Sequence, residues 1–325
     1  MVADGLLQRG TVTPLAGNPR AFGGPSGPIV LAVDIGGTKM EAGIVDGDGR
    51  ILARERTITP ATPDPEPVFD ALSRVVSELL ARSPVAPSVC GVGCGGPMEA
   101  AGSTVSPLNI HGWRRFPLRD RLTDLVGLDV FVDNDAKALA LAEGWTGAAR
   151  GSADYVALVV STGIGGGVVL DGRLLDGAGG NAGHIGHVVV EPDGRPCACG
   201  GRGCLEAEVS GTAIAAGTGR PAAEADEGMR RRCGTFVGRA VASVANLLDL
   251  QLAVVAGSVA LGYGNDFLRA AQSEIDLRCG LDFARTTRIL RGGLGADGPL
   301  VGAAAVARHR AVVVAGSGVV EDGGR

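Results

Sequence analysis

Apolar positions along this chain fall into short, strand-length runs that alternate with longer amphipathic stretches. VLAVDI (30–35) and MEAGIV (40–45) are two such runs joined by a Gly/Thr turn, with an Asp-Gly pair and further apolar residues after them. Residues 156–175, VALVVSTGIGGGVVLDGRLL, repeat the same order. The echo predicts a duplicated strand–loop–strand unit. VFDALSRVVSELLARS (68–83) has helical periodicity and precedes the strand SVCGVGC. LDVFVD (128–133) reads as a strand running into the helix DAKALALAEGW, with Asp133 and Asn134 as cap candidates. GTFVGRAVASVANLLDL (234–250) is helical and leads to the strand LAVVAGS. Such alternation predicts an α/β protein, here two α/β domains with a cleft between them.

Residues 1–28 are rich in Gly and Pro and lack apolar periodicity, so they are expected to form a disordered arm. A small domain is expected over 29–134, joined by a returning helix at about 299–312, and a large domain over 135–298. Residues 313–325 read as a flexible tail.

Composition narrows the classes. The 325 residues are 45% hydrophobic and 20% charged, as expected of a soluble globular chain. A net charge of −5 supplies no basic footprint for nucleic acid or an anionic membrane. The most apolar runs are too short to span a bilayer and the N-terminus has no hydrophobic signal core, so a cytoplasmic location is expected. Seven cysteines in such a chain point to reduced thiols, some of them metal ligands, rather than to a disulfide framework.

Candidate chemistry sits at the turns. A Walker-type P-loop is absent, and GVGCGG (91–96) is a decoy, because Pro97 follows where a nucleotide-binding helix should start. The informative loops are DIGGTK (34–39) and STGIGG (161–166). Glycine lets backbone N–H groups approach phosphate oxygens, and a Thr hydroxyl adds a donor. A plain tight hairpin is the alternative for either loop alone, but two matching loops can grip one polyphosphate from both sides. Asp34 could hold Mg²⁺ through its water shell. Lys39 and Lys137 are the chain's only lysines, and each falls inside a motif. In FVDNDAKALALAE, Asp135 sits where a strand passes into a helix, as a base that accepts a hydroxyl proton would. Asn134 and Asp135 could equally be caps, and Asp133 reads as a cap or surface residue.

Cys197, Cys199 and Cys204 form C-x-C-x₄-C, and His187 lies ten positions before the first. Three thiolates and one imidazole make a closed, structural zinc set, whereas a catalytic zinc keeps a position open. His184 is then either a packed residue or a ligand contact. Of Glu206 and Glu208, one could point into the cleft. Cys90, Cys94, Cys233 and Cys279 read as structural.

Together these residues resemble the ROK family (repressors, open reading frames and sugar kinases) over roughly 29–310. The most specific part is GHVVVEPDGRPCACGGRGCLE, supported by DIGGTK, SPLNIHGW, DNDA, STGIGGG, LAVVAGS and GPLVGAA. The resemblance implies the actin-like, hexokinase-type ATPase fold. It also implies ATP bound by Asp34, Gly36, Gly37, Thr38, Lys39, Thr162, Gly163, Gly165, Gly257 and Ser258. Asp135 would be the catalytic base, and Asn109, Asn134, Asp135, His187 and Glu206 would meet the sugar. His187, Cys197, Cys199 and Cys204 would hold structural zinc. The implied reaction is attack of a hexose 6-hydroxyl on the γ-phosphate of Mg·ATP.

Two positions depart from the family pattern. His184 stands where a sugar-binding Glu is usual, which changes a pure acceptor into a group with one donor and one acceptor. GGPMEA (95–100) replaces the usual Pro-Gly sequence. The GHIGH arrangement is similar to that of family members acting on N-acetylmannosamine, so this sugar and glucose are the leading substrates. The alternatives are a repressor, disfavoured because a Gly/Pro-rich segment stands where repressors carry a DNA-binding domain, and a non-catalytic sugar sensor. A homodimer or homotetramer is expected from family analogy.

Overall fold

The computed structural model describes residues 27–317, with side chains described as far as Ala311. The expected arm at 1–28 therefore lies almost wholly outside the described residues, as do positions 318–325 of the expected tail.

Two five-stranded sheets form the framework. The first half contributes β1 (Val30–Ile35), β2 (Lys39–Val45), β3 (Ile51–Ile58), α1 (Pro65–Arg82), β4 (Val89–Cys94), α2 (Leu118–Val126) and β5 (Val130–Asn134). Next come α3 (Asp135–Trp145), β6 (Tyr155–Val160), β7 (Ile164–Leu170), β8 (Arg173–Leu174), α4 (Leu205–Val209) and α5 (Gly211–Thr218). The chain continues with α6 (Glu227–Leu248), β9 (Leu252–Ala256), α7 (Ser258–Arg278), β10 (Arg288–Arg291) and α8 (Gly298–Ser317). The strand orders are β3-β2-β1-β4-β5 and β10-β9-β6-β7-β8. In each sheet a hairpin meander pairs antiparallel and the later strands join in parallel. The duplication is thus larger than the strand–loop–strand unit visible in sequence: it covers a whole sheet.

Helices α3 and α8 lie between the two sheets. Their Ala-rich faces share one core with Val30, Ala32 and Val89 of the first sheet and Tyr155, Ala157 and Val254 of the second. Glycines in β7 permit the close approach. A methyl group on Gly165 would come within 2.7 Å of the Ala136 Cβ, and one on Gly167 within 2.7 Å of the Ala140 Cβ. The Tyr155 hydroxyl donates to the Ala140 carbonyl at 2.8 Å, tying β6 to the same helix. Separate cores cover the outer faces, one around α1 and Trp113, the other around α6 and α7. The returning helix begins at Gly298 and runs to Ser317, past the expected end at about 312. Neither Gly nor Pro interrupts the sequence between Gly302 and Gly316, so nothing stops the helix earlier, and residues 313–317 of the expected tail are helical. Cys90, Cys94, Cys233 and Cys279 are buried.

Candidate active site

Both glycine loops stand at hairpins, β1–β2 and β6–β7, at matching places in the two sheets. The first is closed by Gly36 N–H donating to the Lys39 carbonyl at 3.0 Å and pinned by the Thr59 hydroxyl, which donates to the Gly36 carbonyl at 2.7 Å. Asn109 packs so closely against it that a Cβ on Gly37 would overlap the Asn109 Cβ. Lys39 pairs with Glu41 at 3.2 Å, so its ammonium is held at the loop's edge. The second loop is braced by the Thr212 hydroxyl, which donates to the Thr162 carbonyl at 2.9 Å, and by a 2.9 Å contact between the Ser161 and Ser258 hydroxyls. Gly257, at φ 97°, presses its backbone against Val160, where a Cβ would collide with the carbonyl oxygen. Thr162, Thr212, Ala222, Ser258, Gly262 and Tyr263 line a cavity of about 490 Å³. Gly165 sits apart from the loop tip, within β7, where its lack of a side chain serves the packing of α3.

Two carboxyl groups meet at the ends of β1 and β5. A Cβ on Gly93 would lie 3.7 Å from Asp34 Oδ1 and 3.8 Å from the Asp135 Cα, so Gly93 separates the pair. Burial first, and then the like charge of Asp135, raise the Asp34 carboxyl to about 7. Desolvation by the surrounding protein also raises Asp135, opposed by backbone N–H donors at the helix start. Asp135 Oδ1 accepts the Ala136 N–H at 2.8 Å, and Asn134 Oδ1 accepts the same N–H at 3.0 Å as the α3 cap. Asp135 Oδ2 carries no protein partner among the described hydrogen bonds, and the residue opens to solvent, so this oxygen can receive a proton from a ligand.

The metal candidates converge. His187, Cys197, Cys199 and Cys204 place their ligand atoms within 4.8 Å of one another. Cys199 and Cys204 Sγ atoms are 3.7 Å apart, and Cys197 Sγ is 3.8 Å from His187 Nδ1. A Zn–S bond of about 2.3 Å puts tetrahedral neighbours about 3.8 Å apart, so the donor set and its spacing fit zinc. Backbone donation from Gly201 holds the Cys199 thiol below its usual range. The loop is fixed from below by Glu208, which accepts from Arg195 N–H at 2.6 Å and pairs with Arg232 at 2.7 Å. Glu208 therefore faces the protein interior. Glu206 points the other way, and its Oε2 accepts the Ile164 N–H at 2.8 Å beside Gly163. The metal loop and the second glycine loop are thereby joined. His184 stands on the cleft side with its ring centroid 6.1 Å from that of His187. Burial and the neighbouring His187 lower its pKa, which keeps it neutral at pH 7.

Known proteins share this fold. The ROK family profile matches residues 30–310. The chain belongs to the ROK family. It is 39% identical over 251 residues to an N-acetylmannosamine kinase of Shigella flexneri, covering 72% of this chain and 84% of the relative. Among solved structures, the ROK hexokinase from Thermus thermophilus is 34% identical with TM-score 0.75, over 87% of this chain and 99% of the other. The ROK family glucokinase from Streptomyces griseus, solved with glucose and AMPPNP, is 32% identical with TM-score 0.74, over 86% and 99%. The two-sheet architecture is the actin-like ATPase fold of these ROK proteins.

One expected assignment is corrected within this ROK frame. Asp133 is neither a cap nor a surface residue: it is 3% exposed and pairs with Lys137 at 3.2 Å and Arg310 at 2.7 Å. Asp176 completes that group and has no motif to mark it. The sequence offers one signal, a lysine beside the Ala/Leu run of α3. Tyr263 in the cavity wall is equally unmarked, since an isolated aromatic on a helix reads as core. Among the described residues, no helix is long and apolar enough to cross a membrane.

Proposed function

We propose that this chain is an ATP-dependent sugar kinase that transfers the γ-phosphoryl group of ATP to the 6-hydroxyl of a hexose, with N-acetylmannosamine as the leading acceptor and glucose as its competitor. One observation carries the reading: Asp135 stands at the start of α3 with an open Oδ2, beside Asp34 of the first glycine hairpin, while Gly165 of the second hairpin packs on the adjoining Ala136. The identity to an N-acetylmannosamine kinase supports the sugar.

In this reading the backbone N–H groups around Gly36, Gly37 and Thr38 and around Thr162 and Gly163 hold the phosphates. The 490 Å³ cavity by Ser258 and Gly257 receives the nucleoside. Asn109, Asn134, His184, His187 and Glu206 surround the sugar. Asp135 Oδ2 accepts the hydroxyl proton as the sugar oxygen bonds to the γ-phosphorus and the bond to the β-phosphate oxygen breaks, releasing ADP. Burial raises its pKa above the ordinary carboxylate value, which makes it a stronger base than a solvated aspartate. Asp34 would hold magnesium, which when bound would supply charge neutralisation on the phosphates. His187 and the three cysteines would hold zinc, which when bound would rigidify the loop from which His187 and Glu206 project. Neutral His184 brings a donor as well as an acceptor, which suits an acyl-amino sugar carrying both an N–H and a carbonyl.

A coupled ADP-release assay across glucose, mannose, N-acetylglucosamine and N-acetylmannosamine tests the proposal. The expected result is the highest kcat/KM with N-acetylmannosamine. ADP release no faster with any sugar than without one would overturn the kinase reading.

A further inference from the structure

Lys137 is 2% exposed, a depth at which an ammonium group must be paired. Its Nζ lies 3.2 Å from Asp133 Oδ1 and 2.7 Å from Asp176 Oδ1, and donates to the Gly180 carbonyl at 3.1 Å. Arg310 closes the ring. Its Nη2 donates to Asp133 Oδ2 and to Asp176 Oδ1, each at 2.7 Å, and its Nη1 donates to Asp176 Oδ2 at 2.7 Å. Two acids and two bases, balanced in charge, thus come from four different segments. Asp133 lies near the end of the first sheet on β5, Asp176 follows the edge strand β8 of the second, and Lys137 and Arg310 come from α3 and α8 between them.

Asp133 and Lys137 also bracket Asn134 and Asp135 along the chain, so both sides of the turn that presents Asp135 are tied down. A crevice of about 280 Å³ opens beside the ring, between the segment around Met98 and Gly102 and the loop carrying Gly177 and Gly180. The ring therefore lies where loops of the two halves meet. Against burial, which raises it, hydrogen bonds from Arg310 and Lys137 bring the Asp176 carboxyl down to about 2, so Asp176 keeps its charge at neutral pH.

We infer that Asp176 and Arg310 are positioning residues: with Asp133 and Lys137 they form a latch between the two halves that fixes the first turns of α3 and hence the aim of Asp135. The catalytic part of this inference rests on Asp135 being the base of the proposed kinase. A misplacement of about 1 Å at a reacting group can cost about a hundredfold in rate, which is how a latch remote from the sugar would register in turnover.

Asp176 and Arg310 are the members to vary, because their side chains are 40% and 24% exposed and their loss is easier to tolerate than that of Lys137. Hydrogen exchange measured by mass spectrometry on the full chain compares the wild type with Asp176→Asn and Arg310→Gln. Amides of residues 136–141 are expected to exchange at least about tenfold faster in both variants, with α6 unchanged. Turnover number is expected to fall about tenfold to a hundredfold while sugar KM stays within about threefold, and Asp176→Glu is expected to restore most of the rate. Unchanged exchange over 136–141 overturns the latch, as does a variant kcat within about twofold of the wild type, or a Glu variant no better than the Asn one. A wild type with no sugar-dependent turnover sinks the kinase reading instead, and the exchange comparison still decides the latch.

Discussion

The raised pKa of Asp34 has a consequence for stability that can be measured without any substrate. Its carboxyl is near 3.8 when solvated and about 7 in the folded protein, because the chain buries it and sets Asp135 beside it. The folded state therefore binds the proton more tightly than the unfolded one. The stabilisation from that proton is complete below about 3.8 and is lost as pH rises through about 7. Just over three pH units separate the two values, and at about 1.36 kcal/mol each the loss is at most about 4 kcal/mol. Partial solvation from the cleft brings the expected figure to about 2–4 kcal/mol. Other groups move in the opposite direction, Asp176 among them, so the raw pH profile of the wild type is a composite. The difference between wild type and Asp34→Asn isolates the single site, since Asn resembles the protonated acid at every pH. Urea unfolding without nucleotide or divalent cation, at pH 4, 6 and 8, is the assay. The Asn variant should match the wild type near pH 4 and exceed it by about 2–4 kcal/mol at pH 8. A difference that stays flat with pH, or an Asn variant that is less stable at pH 8, would refute the account of the paired carboxyls.

Other expected outcomes address the remaining groups. Asp135→Asn should lower kcat by about 10²–10⁴-fold while calorimetry still detects sugar and nucleotide binding, and near-normal turnover would remove Asp135 as the base. About one zinc per chain should co-purify, and its removal by a chelator should lower the melting temperature; folded, active protein without metal would defeat the Cys₃His assignment. His184→Glu should move preference toward glucose by exchanging a donor–acceptor group for a pure acceptor, and an unchanged ranking of sugars would show that the position does not set specificity.

Much of the fold was legible because its signals are local. The Gly/Thr hairpins, the helix start at Asn134 and the cysteine spacing each depend on residues close together in sequence, and each stands where the pattern placed it. The ring of Asp133, Lys137, Asp176 and Arg310 was not legible for the opposite reason. Its members span 177 positions, and apart from the i,i+4 pair Asp133 and Lys137 no spacing rule relates them. Charged residues are ordinarily exposed, so Asp133 reads as surface until the structure shows what covers it. Gly165 shows a further limit: glycine for phosphate approach and glycine for helix packing are identical letters, and only the position of Ala136 separates them.

The two sheets repeat one topology, yet their hairpins are unequal in charge, and this inequality gives the proposed site its direction. Asp34 occupies the last but one position of β1, whereas the corresponding position of β6 is Val159. The first hairpin therefore brings a carboxyl next to Asp135, and the second brings none. What the second hairpin's own residues offer is neutral, the Thr162 and Ser161 hydroxyls, the tight Gly257 turn and the cavity bounded by Tyr263, and the carboxylate beside it, Glu206, is tied to the Ile164 N–H. Placed across the cleft, a nucleotide has reason to turn its metal-bearing phosphates toward Asp34 and its base toward Tyr263. The reverse orientation would set a neutral base against two carboxyls and leave the phosphates without the cation that Asp34 can hold. Duplication alone would permit either orientation; in the proposed kinase, the acid on β1 is what would favour the first.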